Sequence, residues 1–202
     1  NEINAVTDNP LVFPDEDKVV SGGNFHGQPL ALTLDRLTLA VHELASISER
    51  RIFKLMSGTR NLPAFLAKDP GLNSGFMIAQ YTAASLVSMN KQLTTPSSAD
   101  NADSSNGQED HVSMGANAAL KLWSVIENAE QVIAIEALCA AQASDLGSLA
   151  DLGSMSPRLQ KLQKAFRKEL PFLEEDEYMA PLLENAHEFI ALNSPEDIAP
   201  CL

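Results

Sequence analysis

Several things are scarce in this chain, and each shortage excludes a class of protein. Only two cysteines, Cys139 and Cys201, occur in 202 residues, and no Cys-x-x-Cys pair exists. That excludes a zinc knuckle or a thioredoxin-type site and suits a reducing cytoplasm. Cys139 lies in an alanine-rich apolar stretch and reads as a buried thiol. Aromatic residues are 5% of the chain, so the core must be built from Leu, Ala, Ile, Val and Met. Positive charge is short as well, with 14 Lys and Arg against 27 Asp and Glu and a net charge of -13. Nucleic acid and anionic membrane partners are excluded, because both need a basic face. The longest apolar stretch, residues 132–141, is broken by Glu136 and is far too short to cross a bilayer. No basic, apolar, small-residue signal opens the chain, so a cytoplasmic location is expected. The first residue is Asn1 and not Met, which suggests a start inside a longer protein.

Familiar catalytic signatures are missing too. There is no GxGxxG, Walker A or GxSxG motif, and His42-Glu43 lacks a second histidine because position 46 is Ser. Glu109, Asp110 and His111 are adjacent, so their side chains diverge and no metal site is expected there.

What is present is helical. With 45% apolar residues, a chain of this length buries on the order of 70% of its unfolded surface and needs no disulfide or metal staple. Leu30, Leu34, Leu37, Val41, Leu44 and Ile47 recur at helical spacing and predict a helix from Pro29 to about Met56, ended by Gly58. A second helix is expected from Asn73 or Ser74 to about Gln92, with Phe76, Ile78, Thr82, Leu86 and Met89 as its stripe. Residues 94–107 form a long polar loop, of the kind that is usually functional or disordered. A third helix should begin between Asp110 and Ser113 and run to about Ala143, carrying Leu120, Trp123, Ile126, Val132, Ile135 and Leu138. Its many alanines allow neighbouring helices to approach closely. Ser156-Pro157 should start a fourth helix with Leu159, Leu162, Phe166 and Leu170 inward, and a fifth covers roughly residues 179–193. Nine acids and no Lys or Arg follow Lys168, which reads as a solvated acidic face. Residues 1–28 read as irregular, with Val19 and Val20 forming a short strand at most. The expected fold class is all-α, a long-helix bundle.

Two segments stand out, Ser21-Gly22-Gly23-Asn24-Phe25-His26-Gly27-Gln28 and Asn106-Gly107-Gln108-Glu109-Asp110-His111-Val112-Ser113-Met114. The plain reading is structural: Phe25 stapling a helix start, and acids placed on the dipole of the third helix. The alternative is a site at two loop–helix junctions.

Together with Asn4-Ala5-Val6-Thr7-Asp8-Asn9-Pro10-Leu11, Glu49-Arg50-Arg51, Leu62-Pro63-Ala64-Phe65-Leu66 and Asn73-Ser74-Gly75-Phe76-Met77-Ile78-Ala79-Gln80, these segments resemble the C-terminal portion of the aromatic amino acid lyase family. The motifs come in the family's order from Asn1 to about Ala143. The resemblance implies a helical homotetramer of the fumarase-aspartase type that eliminates ammonia from an amino acid, a small-molecule substrate. It also implies a methylidene-imidazolone electrophile (MIO) made from an internal Ala-Ser-Gly. Neither that tripeptide nor the family's Tyr-x-x-Arg segment is in this chain; both lie upstream in family members. The expected organisation is therefore one domain fragment: active-site loops at 1–28, the central bundle at 29–143 and shorter helices at 144–202, inactive alone.

The resemblance also assigns roles. Asn9 matches the asparagine that binds the substrate carboxylate. Phe25 matches the aromatic beside electrophile and substrate. Glu109 matches the carboxylate that faces the substrate amine or imidazole, and glutamate there points to the branch that deaminates L-histidine to trans-urocanate. Met77 fits that branch too. Gln28 departs from a common Glu, with a small effect expected. Whether Glu109 is a base or a binding group stays open. Two alternatives stand beside this reading: a phenylalanine or tyrosine lyase or aminomutase of the same family, and a non-catalytic helical oligomerisation scaffold.

Overall fold

The computed structural model describes residues 1–59, 61–146 and 155–200; Cys201 lies outside them. The elements are β1 (Leu11–Phe13), β2 (Lys18–Val20), α1 (Gln28–Leu55), α2 (Met77–Leu93), α3 (Gly115–Asp145), α4 (Pro157–Glu169), α5 (Ala180–Leu192) and α6 (Pro195–Ile198). The all-α class holds, with long helices and one small antiparallel ribbon. That ribbon is an addition to the expected irregular start: Leu11 pairs with Val20 and Phe13 with Lys18. The turn between them closes through Asp17 in the left-handed region.

The chain forms two compact units. The first is Asn1–His42 with Asn90–Ile126, the second Glu43–Met89 with Glu127–Leu202. Each of α1 and α3 supplies residues to both. In the first unit Ala31, Thr38, Ala118 and Val125 are fully buried. The Asn90 amide, also buried, donates to the Val125 carbonyl. In the second unit the core holds Ala45, Ile52, Leu66, Phe76, Ala79, Ala83, Val132, Ile135, Leu138 and Cys139. Burial pushes the Cys139 thiol far up, so it stays protonated.

The helix spans match their expected positions within a few residues, but the buried faces do not. On α1, Leu37, Leu44 and Ile47 are exposed, while Ala31, Asp35, Thr38, Ala45, Ser48 and Ile52 face inward. On α2, Ile78 and Met89 are exposed and Ala79, Ala83 and Asn90 are buried. On α3, Leu120 and Trp123 are exposed, and only the later part of the expected stripe, Val132, Ile135 and Leu138, is inside. The cause is close approach. Small side chains at the helix contact let backbones near one another, and the larger side chains are displaced to the flanks. Ser48 shows how near, since its hydroxyl donates to Glu136 at 2.6 Å and lies 3.4 Å from the Val132 carbonyl oxygen.

The shorter helices start as written. Ser156 Oγ accepts from the Leu159 N–H ahead of Pro157, and Phe166 meets Phe189 edge to face. Leu159 of the expected stripe is exposed. At the start of α2, Asn73 Oδ1 accepts from the Asp176 N–H. The carboxylate of Asp176 in turn accepts from the Ser74 and Gly75 N–H groups at 2.7 and 2.8 Å. Those two backbone donors hold the Asp176 carboxyl below the usual carboxylate range.

Candidate functional site

The ribbon explains the position of Asn9. Pairing Leu11 with Val20 brings Asn9, two residues before β1, level with the residues just after β2. Asn9 Oδ1 accepts from Ser21 Oγ at 2.9 Å and from the Gly22 N–H at 3.2 Å. A backbone N–H can only donate, so the atom it meets must be the amide oxygen. The amide NH2 is therefore turned away from this contact, on an exposed residue, with no partner among the described residues. A neutral donor is thereby presented on a fixed frame.

Residues Asn24–His26 form one tight turn, closed by Gly27 at φ 76°. Glycine suits that left-handed position, and its carbonyl then receives the Leu30 and Ala31 N–H groups as α1 begins. The turn puts two rings together: Phe25 lies 3.9 Å from His26 between centroids, at an interplanar angle of 36°. Phe25 is not packed down as a staple; it is 39% exposed. His26 Nε2 lies 3.0 Å from Glu109 Oε2, with 16% and 32% of the two side chains exposed. The pair joins the two motif segments across 83 positions of sequence.

Glu109 is held by its loop and not by a helix. The expectation that it sits at the dipole of the third helix is corrected here, because α3 begins only at Gly115. The Ser113 hydroxyl accepts from the Gly115 N–H and starts the helix later. The loop is fastened at its near end by Asp35, buried on α1, which accepts from the Ser98 N–H at 2.7 Å. Gln28 donates to the Ser98 carbonyl at 3.0 Å. Lys121 pairs with Asp35 at 3.3 Å and donates to the Thr95 carbonyl. Burial pushes the Asp35 carboxyl up, but Ser98, Ser97 and Lys121 together bring it below its ordinary range. At the far end Asn101 donates to the Asp110 carbonyl and accepts from the Val112 N–H. Ser104 and Glu109 exchange both backbone hydrogen bonds. Glu109 thus has a fixed backbone on either side.

In the second unit, Met77 is half-buried as the first residue of α2. The Glu49-Arg50-Arg51 motif is a polar clasp: Glu49 is 2% exposed and accepts from Gln80 and Arg50, while Arg51 grips Glu136. An apolar groove of about 400 Å³ is lined by Ala137, Ala141, Leu162, Phe166 and Phe189 among others. None of its described lining residues is titratable.

Three residues escaped sequence reasoning as contributors. His26 was visible only as part of a motif, and its contact with Glu109 is long-range. Asn101 carries no signal in a polar loop. Gln28, expected to matter little, is a loop anchor.

Set against known proteins, residues 1–168 match the aromatic amino acid lyase family. The chain is 52% identical over 191 residues to the histidine ammonia-lyase of Natranaerobius thermophilus, covering 94% of this chain and 37% of that one. Among solved structures it is similar to the histidine ammonia-lyase of Trypanosoma cruzi, with TM-score 0.90 and 47% identity, over 98% of this chain and 39% of that chain. It is also similar to the tyrosine aminomutase of Streptomyces globisporus, with TM-score 0.83 and 37% identity, over 92% of this chain and 35% of that chain. The chain thus spans little more than a third of the length of these relatives.

Proposed function

The chain belongs to the aromatic amino acid lyase family, and from that premise we propose that it is the C-terminal part of a histidine ammonia-lyase. The complete enzyme would convert L-histidine to trans-urocanate and ammonia. The observation that carries this reading is the convergence of Phe25 and His26, at the entry to α1, with Glu109 on its anchored loop, while Asn9 of the same unit presents an amide NH2 that has no partner among the described residues. A scaffold has no use for an exposed aromatic face beside a half-buried carboxylate.

The division of labour follows from residue chemistry. Asn9 donates to the substrate carboxylate without adding charge. Phe25 supplies an apolar wall for the flat imidazole. Glu109 faces the substrate amine or imidazole, where it attracts the cation or accepts a proton. Met77, at the start of α2 in the second unit, matches the histidine-type pattern and is assigned to substrate binding on that resemblance. The residues present also suit a neutral planar electrophile, since Phe25 leaves ring surface exposed and Asn9 leaves a donor unpaired. That group, the methylidene-imidazolone made from Ala-Ser-Gly, would supply electron withdrawal from the substrate amine, making it a better leaving group. We also assign the complete enzyme to a cytoplasmic homotetramer. The large apolar side chains left exposed here, among them Leu44, Ile47, Leu120 and Trp123, support that assembly.

The test is urocanate absorbance after addition of L-histidine, L-phenylalanine or L-tyrosine in separate assays. The complete lyase carrying this chain should form urocanate from L-histidine and leave the other two untouched. The isolated chain should form none, because it has no Ala-Ser-Gly. Cinnamate, coumarate or a β-amino acid as the main product would move the assignment to another branch of the family.

A further inference from the structure

We infer that His26 is the positioning residue for Glu109: it holds one carboxylate oxygen so that the other is presented to substrate. The inference rests on reading the chain as a histidine-deaminating lyase. Its basis is the pair itself. His26 Nε2 meets Glu109 Oε2 at 3.0 Å, and Oε1 has no partner among the described residues. An ionised carboxylate can only accept, so Nε2 is then the nitrogen that carries the proton. The loop cannot do this job. Its bonds through Ser104 and its staple at Asn101 fix the backbone of residues 104–112 but touch no Glu109 side-chain atom.

A glutamate has three rotatable bonds, and leaving them free would scatter the reacting oxygen over several rotamers. His26 is well suited to remove that freedom. Its ring rests against Phe25, its backbone sits in the tight turn closed by Gly27, and its side chain is only 16% exposed. Phe25, His26 and Glu109 therefore form one linked series, in which an aromatic wall and a carboxylate keep a set spacing. A purely structural clamp is the competing role, since the same bond ties the loop to the start of α1.

A double-mutant cycle on the complete lyase separates the two, with kcat, KM and melting temperature measured for each variant. His26→Leu should lower kcat about 10-fold or more, the range for losing a hydrogen bond to a charged group, while KM moves less than about 3-fold. His26→Gln keeps a donor and should return kcat to within about 3-fold of the unsubstituted enzyme. In a Glu109→Ala background there is no carboxylate to orient, so His26→Leu should change kcat by less than about 2-fold. If His26→Leu does not fold, His26→Asn, too short to reach Glu109, provides the same comparison. Additive losses in the cycle, or normal kcat in His26→Leu, would overturn the role of His26 and leave the histidine-lyase reading standing. Absence of histidine turnover in the unsubstituted enzyme would overturn that reading and this inference with it.

Discussion

Asn9 can serve the substrate or only its own turn, and two substitutions tell these apart. Asn9→Asp keeps an oxygen to accept from Ser21 and Gly22 but replaces the free NH2 with negative charge. If Asn9 binds a carboxylate, KM for histidine should rise about 10-fold in Asn9→Ala, by loss of a hydrogen bond to a charged group, and further in Asn9→Asp. A turn-only role reverses the order, with Asp tolerated and Ala destabilising. Glu109 is tested in the same spirit. Glu109→Gln keeps the shape and removes the charge, so kcat should fall at least roughly 100-fold. The melting temperature should change little, because Glu109 lies outside the first turn of α3. Normal turnover with a lowered melting point would return Glu109 to a structural role. These residues were legible in the sequence because each sits in a short local motif. His26 and Asn101 were not legible as contributors, because their roles depend on partners brought near only by the fold.

At the scale of elements, the junction leading into α2 is tightly constrained. Gly75 has φ 54°, and a Cβ there would stand 2.4 Å from the Phe65 carbonyl oxygen. Gly75→Ala should therefore cost about 1–3 kcal/mol or more, read as a lowered midpoint in urea. Asp176 across the same junction gives a pH signature. Its carboxyl is lowered by the Ser74 and Gly75 N–H groups, so its contribution is complete above the ordinary carboxylate pKa and drains away as pH falls through the folded value. The melting-temperature gap between the unsubstituted chain and Asp176→Asn should be widest near neutrality and close below about pH 4. A gap that stays constant on acidification would rule out this origin. Helix positions could be read in advance because periodicity, Ser156-Pro157 and Gly58 are local signals. The buried faces could not. Size-based reading favours large apolar residues, whereas the buried positions include Ala31, Ala45, Ser48 and Ala79, with polar Thr38 bonded to its own helix at the Leu34 carbonyl.

For the molecule as a whole, displaced leucines and aromatics have a measurable result. Leu44 is 61% exposed, Trp123 67% and Leu120 70%. Exposed apolar area of that kind favours association, so the isolated chain should sediment as an oligomer and bind a hydrophobic dye. A monomer that does not bind dye would show that these side chains need no cover. The order of segments carries a separate consequence for anyone dissecting the protein. The first unit is interrupted by residues 43–89, and its second half is followed without a break by the remainder of the other. No single cut of the polypeptide releases either unit whole and alone. A protease nick or a split gene would leave complementary pieces that must find each other, so a library of truncations would map interdependence and not a boundary.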